Sequence, residues 1–134
     1  MIVQRSELRY IRQSEDIVTV RQSVREWAVA IGMNLIDQTK IITAASELAR
    51  NIIDYGKGGM VLLEHIIDGS KSGLRLTFED RGPGIIDVDL ALKDGYTTGG
   101  GMGLGLGGAK RLSNEFYISS KAGEGTRIII VRWK

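Results

Sequence analysis

The stretch "GGGMGLGLGG", residues 99–108, puts seven of the chain's 18 glycines into ten positions and runs straight into the helix-like "AKRL" of 109–112. Glycine serves where backbone must take positive φ or approach something with no Cβ in the way, and each one raises the entropic cost of folding. So dense a run marks a place built around a ligand. A flexible linker is the plain alternative, but such linkers mix in serine and join two domains, and here only residues 109–134 follow. A glycine loop entering a helix N-terminus instead makes an anion site, because successive N–H groups and the helix dipole converge on it.

Familiar phosphate loops do not fit. Gly103, Gly105 and Gly108 satisfy G-x-G-x-x-G formally, but "DGYTTGG" precedes them where the dinucleotide fingerprint needs a strand and a βαβ unit. A Walker A loop needs Gly-Lys followed by Ser or Thr, whereas Ala109 precedes Lys110 and Arg111 follows it. The H-R-D and D-F-G signatures of eukaryotic-type protein kinases are absent as well.

Working outward, 134 residues suit one domain with one core, expected to span 1–134. Hydrophobic residues make up 43% and charged ones 25%, which argues for a folded chain rather than a disordered one. The 18 basic and 16 acidic residues are dispersed, so no basic stripe marks a nucleic-acid partner. With no cysteine, disulfides, thiolate metal sites and cysteine nucleophiles are excluded. No apolar run approaches the roughly 18 residues of a membrane helix and no signal-peptide core opens the chain, so no membrane partner is expected and the expectation is a cytoplasmic protein.

Periodicity gives the elements. "ELRYIRQ" (7–13) alternates as a strand, and Ser14 then offers an N-cap ahead of Glu15 and Asp16. Ile17, Val20, Val24, Trp27, Ala28 and Ile31 follow helical spacing up to Gly32. Ile41, Ala45, Leu48 and Ile52 predict a second helix from about Leu35 to Tyr55, stopped by Gly56. Strands follow at 60–67 and 74–80, then a short helix near "VDLALKD", the glycine loop, a helix from about Leu106 to Ser113, and two strands joined by "KAGEG". That order predicts an α+β two-layer sandwich, its sheet mixed and mostly antiparallel, with helices on one face.

Three further constellations bear on chemistry. In "SELARNIIDYG", Glu47 and Asn51 are four apart and share a helix flank off the main apolar stripe. An amide oxygen suits Mg²⁺, and a carboxylate one turn away can take a proton from a hydroxyl attacking a γ-phosphate; a solvated helix face is the plain alternative. In "EDRGPGI" (79–85), Asp80 ends a strand on its buried side, beside Gly82 and Gly84. A carboxylate there can accept from an adenine amino group and repel a guanine carbonyl, the glycines admitting the base, or it can simply cap a turn. In "GEGT" (123–126), a hairpin turn leads into Thr126, whose strand can back the same pocket.

The order and spacing of these four stretches resemble the GHKL ATP-binding superfamily. "ELARN" looks like its N-box, "DRGPG" like its D-x-G-x-G box, "GGGMGLGLGG" like its lid and second glycine box, and "GEGT" like its last box, so the likeness spans nearly the whole chain. A glutamate in place of the first N-box asparagine and a very short lid are similar to the bacterial anti-sigma-type serine/threonine switch kinases. That resemblance implies the GHKL fold, ATP and Mg²⁺, with Glu47 as catalytic base, Asn51 holding the metal, and Asp80 reading adenine. It also implies nucleotide contacts from Gly82, Gly84, Thr98, Gly101, Gly103, Gly105 and Thr126. Thr97, Lys110 and Arg111 are further candidates for phosphate or partner contacts. The partners implied are STAS-domain antagonist or scaffold proteins of stressosome assemblies and a PP2C-type phosphatase, with a homodimer as a further expectation. The alternative is a non-catalytic, ATP-dependent interaction module of the anti-sigma kind. The single histidine, His65, lies in an expected strand and reads as structural.

Overall fold

The computed structural model describes residues 1–85, 88–92 and 105–134. Strand β1 (Ile2–Ile11) leads into helices α1 (Ser14–Ile31) and α2 (Leu35–Tyr55). Strands β2 (Gly59–Asp68) and β3 (Lys71–Asp80) form a hairpin, the short helices α3 (Val88–Ala91) and α4 (Leu106–Arg111) follow, and a second hairpin, β4 (Glu115–Ser120) and β5 (Thr126–Trp133), ends the chain. The sheet order is β1-β2-β3-β5-β4, and all four pairings are antiparallel. The expected two-layer sandwich is therefore present without any parallel pairing, because every neighbouring pair except β3 and β5 is joined by a short turn or by the helical excursion from β1 to β2.

Helical spacing explains the layer above the sheet. Val20, Val24, Trp27 and Ala28 of α1 and Ile41, Ala45, Leu48 and Ile52 of α2 are buried in one core with Leu63, Leu76, Phe78 and Ile130 of the strands. Trp27 and Phe78 are each 2% exposed, and truncating a side chain of that size in a close-packed core costs ~3–5 kcal/mol. Gly32, at φ 97°, closes α1, as its position in the sequence predicts.

Some boundaries differ from the periodicity reading. Strand β1 begins at Ile2 rather than Glu7, since its first residues gain a ladder against Ile66 and Ile67 across a bulge between Val3 and Arg5. Ser14 is already helical and Gln13 is the cap residue. The orphan amides are instead met by Asp16, whose Oδ2 accepts from the N–H groups of Arg12 (2.8 Å) and Gln13 (3.1 Å). Those bonds favour the ionised form and hold the Asp16 carboxyl below its usual pKa. Helix α4 stops at Arg111, two residues short of the expectation.

Candidate functional site

Helix α2 builds one wall. The Asn34 Oδ1 accepts from the Asp37 N–H at 2.8 Å and starts the helix, and Gly56 closes it with its N–H on the carbonyls of Asn51 and Ile52. The buried stripe of α2 is turned to the sheet, which leaves Glu47 and Asn51, one turn apart, half-buried on its flank. The Asn51 Nδ2 is buried with no hydrogen-bond partner. A buried orphan amide is costly, and a group that receives the Asn51 amide would relieve it. An acceptor such as a phosphate oxygen or a metal-bound water would take the Nδ2 protons, and the Oδ1 is the atom that could hold Mg²⁺.

Strand β3 delivers the opposite wall. Period-two alternation puts Leu74, Leu76 and Phe78 on the helix side, and Asp80 continues that series beneath the end of α2. Its Oδ1 accepts from the Gly82 N–H at 2.9 Å. Burial raises the Asp80 pKa above the usual carboxylate value, while backbone hydrogen bonds from Gly82 and Thr126 pull the other way. Asp80 and Asn51, with Leu106 and Thr126, line one cavity of about 30 Å³.

The glycines here serve close packing of backbone. A Cβ at Gly82 would lie 2.7 Å from both the Gly56 Cα and the Tyr55 carbonyl, and one at Gly84, where φ is 75°, would run into the Lys121 carbonyl. The D-x-G-x-G stretch is thereby pressed against the end of α2 on one side and the β4–β5 turn on the other. Gly105, at φ 85°, precedes α4, and a Cβ there would sit 2.5 Å from the Glu47 Oε2. The exit of the glycine loop thus lies directly on the Glu47 carboxylate.

The site residues brought together are Glu47, Asn51, Asp80, Gly82, Gly84, Gly105 and Thr126. Thr97, Thr98, Gly101 and Gly103 lie outside the described residues. Lys110 and Arg111 occupy the last turn of α4, exposed and away from the Gly105 end. His65 is not part of the site; its Nε2 pairs with the Ser72 hydroxyl at 2.6 Å across the β2–β3 hairpin.

Two supporting residues escape a motif reading. The Ser120 Oγ accepts from the Ile85 N–H (2.8 Å), donates to the Gly125 carbonyl (3.0 Å) and meets the Thr126 hydroxyl at 2.8 Å. With its own proton spent on Gly125, Ser120 receives the Thr126 proton, which leaves Thr126 only acceptor capacity toward the cavity. Arg132 joins α2 to α4: its Nη2 reaches Asp37 at 2.7 Å and its Nη1 donates to the Leu112 carbonyl at 3.2 Å. An alternating strand signals neither role, since the Ile85 amide that Ser120 holds and the Asp37 and Leu112 groups that Arg132 holds come from distant sequence.

Asn51, Asp80, Gly84 and Thr126 line one cavity, and the exit of the glycine stretch lies against Glu47 one helical turn from Asn51. Residues 36–134 match the family model described as "Histidine kinase-, DNA gyrase B-, and HSP90-like ATPase". The chain belongs to that family. It is similar to the serine/threonine-protein kinase RsbT of Bacillus subtilis, 48% identical over 88% of this chain and 89% of that one. It is also similar to the anti-sigma F factor of Clostridium kluyveri, at 29% identity over 92% of this chain and 90% of that one. Among solved structures, the RsbU and RsbW domains of Rv1364c from Mycobacterium tuberculosis share the fold, with a TM-score of 0.64 and 24% identity over 96% of this chain. The match spans 33% of that longer chain. The GHKL fold, nucleotide binding and the class of serine/threonine kinase are thus borne out. Among the described residues no helix is long and apolar enough to cross a membrane.

Proposed function

We propose that this chain binds Mg-ATP and transfers the γ-phosphoryl group to a serine or threonine hydroxyl on a STAS-domain antagonist in a bacterial stress-signalling assembly, and that the released kinase then activates a PP2C-type phosphatase. The observation that carries the reading is the position of Glu47. It stands one turn from Asn51 on the flank of α2, with the end of the glycine loop against its carboxylate. Nucleotide binding alone has no use for a base there. Glu47 takes the proton as the acceptor hydroxyl oxygen bonds to the γ-phosphorus, the bond to the β–γ bridging oxygen breaks, and ADP departs with that electron pair. Mg²⁺, when held through Asn51, supplies charge neutralisation at the phosphates. Asp80 orients the adenine by accepting from its amine, and Thr126 adds a second acceptor.

A second reading is a nucleotide-dependent binding module without transfer; the likeness to an anti-sigma F factor bears on partner binding alone. Glu47→Gln separates the two. Glutamine keeps the shape and helix propensity of the site, so Mg-ATP binding and partner capture are retained, while transfer to the STAS partner falls ~10²- to 10⁴-fold. Transfer at the wild-type rate would falsify the base assignment. Association without transfer by the wild-type chain itself would establish the binding module.

A further inference from the structure

The end of the sheet at which Asp80 lies carries a second concavity, an open groove of about 320 Å³ beside the cavity already described. The ladder register sets Tyr10, Met60, Glu79 and Arg127 in one row on the face that the helices leave uncovered, one step along the strands from the row that runs from Leu8 through Thr77 to Tyr117. Tyr10 and Met60 give the groove an apolar floor. Arg12, Lys57 and Arg81, from the turns after β1, α2 and β3, stand exposed at its rim. The carboxylates of the groove are already engaged, since Glu79 pairs with Arg127 at 3.0 Å and the Asp80 Oδ1 holds the Gly82 N–H. The rim cations are not. Among the described residues no ion pair involves Arg12, Lys57 or Arg81, and the Arg12 guanidinium lies 4.5 Å over the centre of the Tyr10 ring.

We propose that this groove docks an acidic segment of a protein partner, which sets an apolar side chain on Tyr10 and Met60 and its carboxylates on the three cations. The backbone singles out Lys57. It leaves α2 at φ 58°, the only positive φ at a non-glycine among the described residues, and it stands between Gly56 and Gly58. Helix ends usually give that left-handed position to glycine, because a Cβ there is strained. Lysine between two glycines, at the one place where glycine would fit most easily, points to a use for the side chain itself. Attraction to the carbonyl end of α2 is the other use for a cation there, and it makes the opposite prediction for stability. Charge decides the class of occupant. A polynucleotide backbone needs a continuous basic track, which Glu79 and Asp80 interrupt here, whereas a peptide can place its carboxylates point by point against the cations. Glu47 does not line the groove, so a partner held there leaves that carboxylate open. The proposal is independent of the kinase reading.

Fluorescence anisotropy at low salt tests it, with a labelled peptide of alternating glutamate and leucine as the probe and its glutamine counterpart as the uncharged control. The acidic peptide is expected to bind and the glutamine peptide is not. Arg12→Gln, Lys57→Gly and Arg81→Gln are each expected to weaken binding about two- to fivefold, and the triple variant roughly 10- to 100-fold, the scale of exposed ion pairs. Arg25→Gln, at an exposed cation of α1, removes the same charge elsewhere and should change nothing. Lys57→Gly supplies a readout that a purely structural lysine would not give: its Tm should match or exceed that of the wild type while binding falls. A lower Tm with binding retained would make Lys57 a helix-end cation and overturn its place in the site. Failure of the wild-type chain to bind the acidic peptide, or equal binding by the triple variant, overturns the docking site. Tighter binding of a single-stranded RNA or of phosphatidylserine vesicles, lost in the same triple variant, overturns the protein occupant.

Discussion

Ser120→Ala removes one oxygen on which three segments converge: the loop after Asp80 through the Ile85 N–H, the β4–β5 turn through the Gly125 carbonyl, and the Thr126 hydroxyl. A typical hydrogen bond is worth ~0.5–1.5 kcal/mol net, and water replaces part of the loss at this half-buried position, so we expect a destabilisation of about 2 kcal/mol. For a chain of this size that lowers Tm by roughly 8 °C. The functional effect is more specific. Freed of Ser120, the Thr126 hydroxyl rotates and can offer its proton to the cavity, and Ile85 no longer holds the wall beside Asp80. We expect ATP affinity to fall about tenfold, equivalent to ~1.4 kcal/mol, and the preference for ATP over GTP to narrow. Ser119→Ala, exposed on the same strand, serves as the control and should change neither. Thermal unfolding and titration calorimetry with ATP and GTP supply the readouts. If Ser120→Ala melts and binds like the wild type, the network neither holds the pocket nor sets the polarity of Thr126.

Burial places the Asp80 pKa above its unfolded value, so protonation favours the folded chain: Asp80 costs the fold stability above that pKa, and the cost fades as pH falls through it. Adenine reading runs oppositely, because the protonated carboxyl is no longer a pure acceptor; ATP affinity should decline on an acid limb above the ordinary aspartate pKa of 3.8, and Asp80→Asn should abolish that limb while weakening binding at neutral pH. Gly105→Ala puts a methyl group 2.5 Å from the Glu47 Oε2 at φ 85°; strain in that region costs ~1–2 kcal/mol, and phosphoryl transfer should drop further than ATP affinity. Equal losses in transfer and affinity would show that Gly105 acts on the nucleotide rather than on Glu47.

The sequence by itself determined the elements and the chemistry of the boxes, because both rest on short-range information. The 3.6-residue stripe of α2 set Glu47 and Asn51 on one flank, alternation in β3 carried Asp80 to the helix side, and both helix ends at Gly32 and Gly56 were legible from glycine alone. Caps and edges were less so. Asp16 displaced Ser14 as the source of the first capping bonds, and β1 gained its opening residues from β2, a partner about 60 positions away in the chain. Only the tertiary structure placed Gly105 against Glu47, made Ser120 the knot between two loops, and let Arg132 tie the start of α2 to the end of α4. It also decided which face of the sheet stays uncovered. Alternation reveals that a strand has two faces; it takes the ladder register of all five strands to line up Leu8 with Tyr117 and to set Arg75 and Glu79 astride one row, since the distances between those residues are fixed by hydrogen bonds between strands and not by spacing along them.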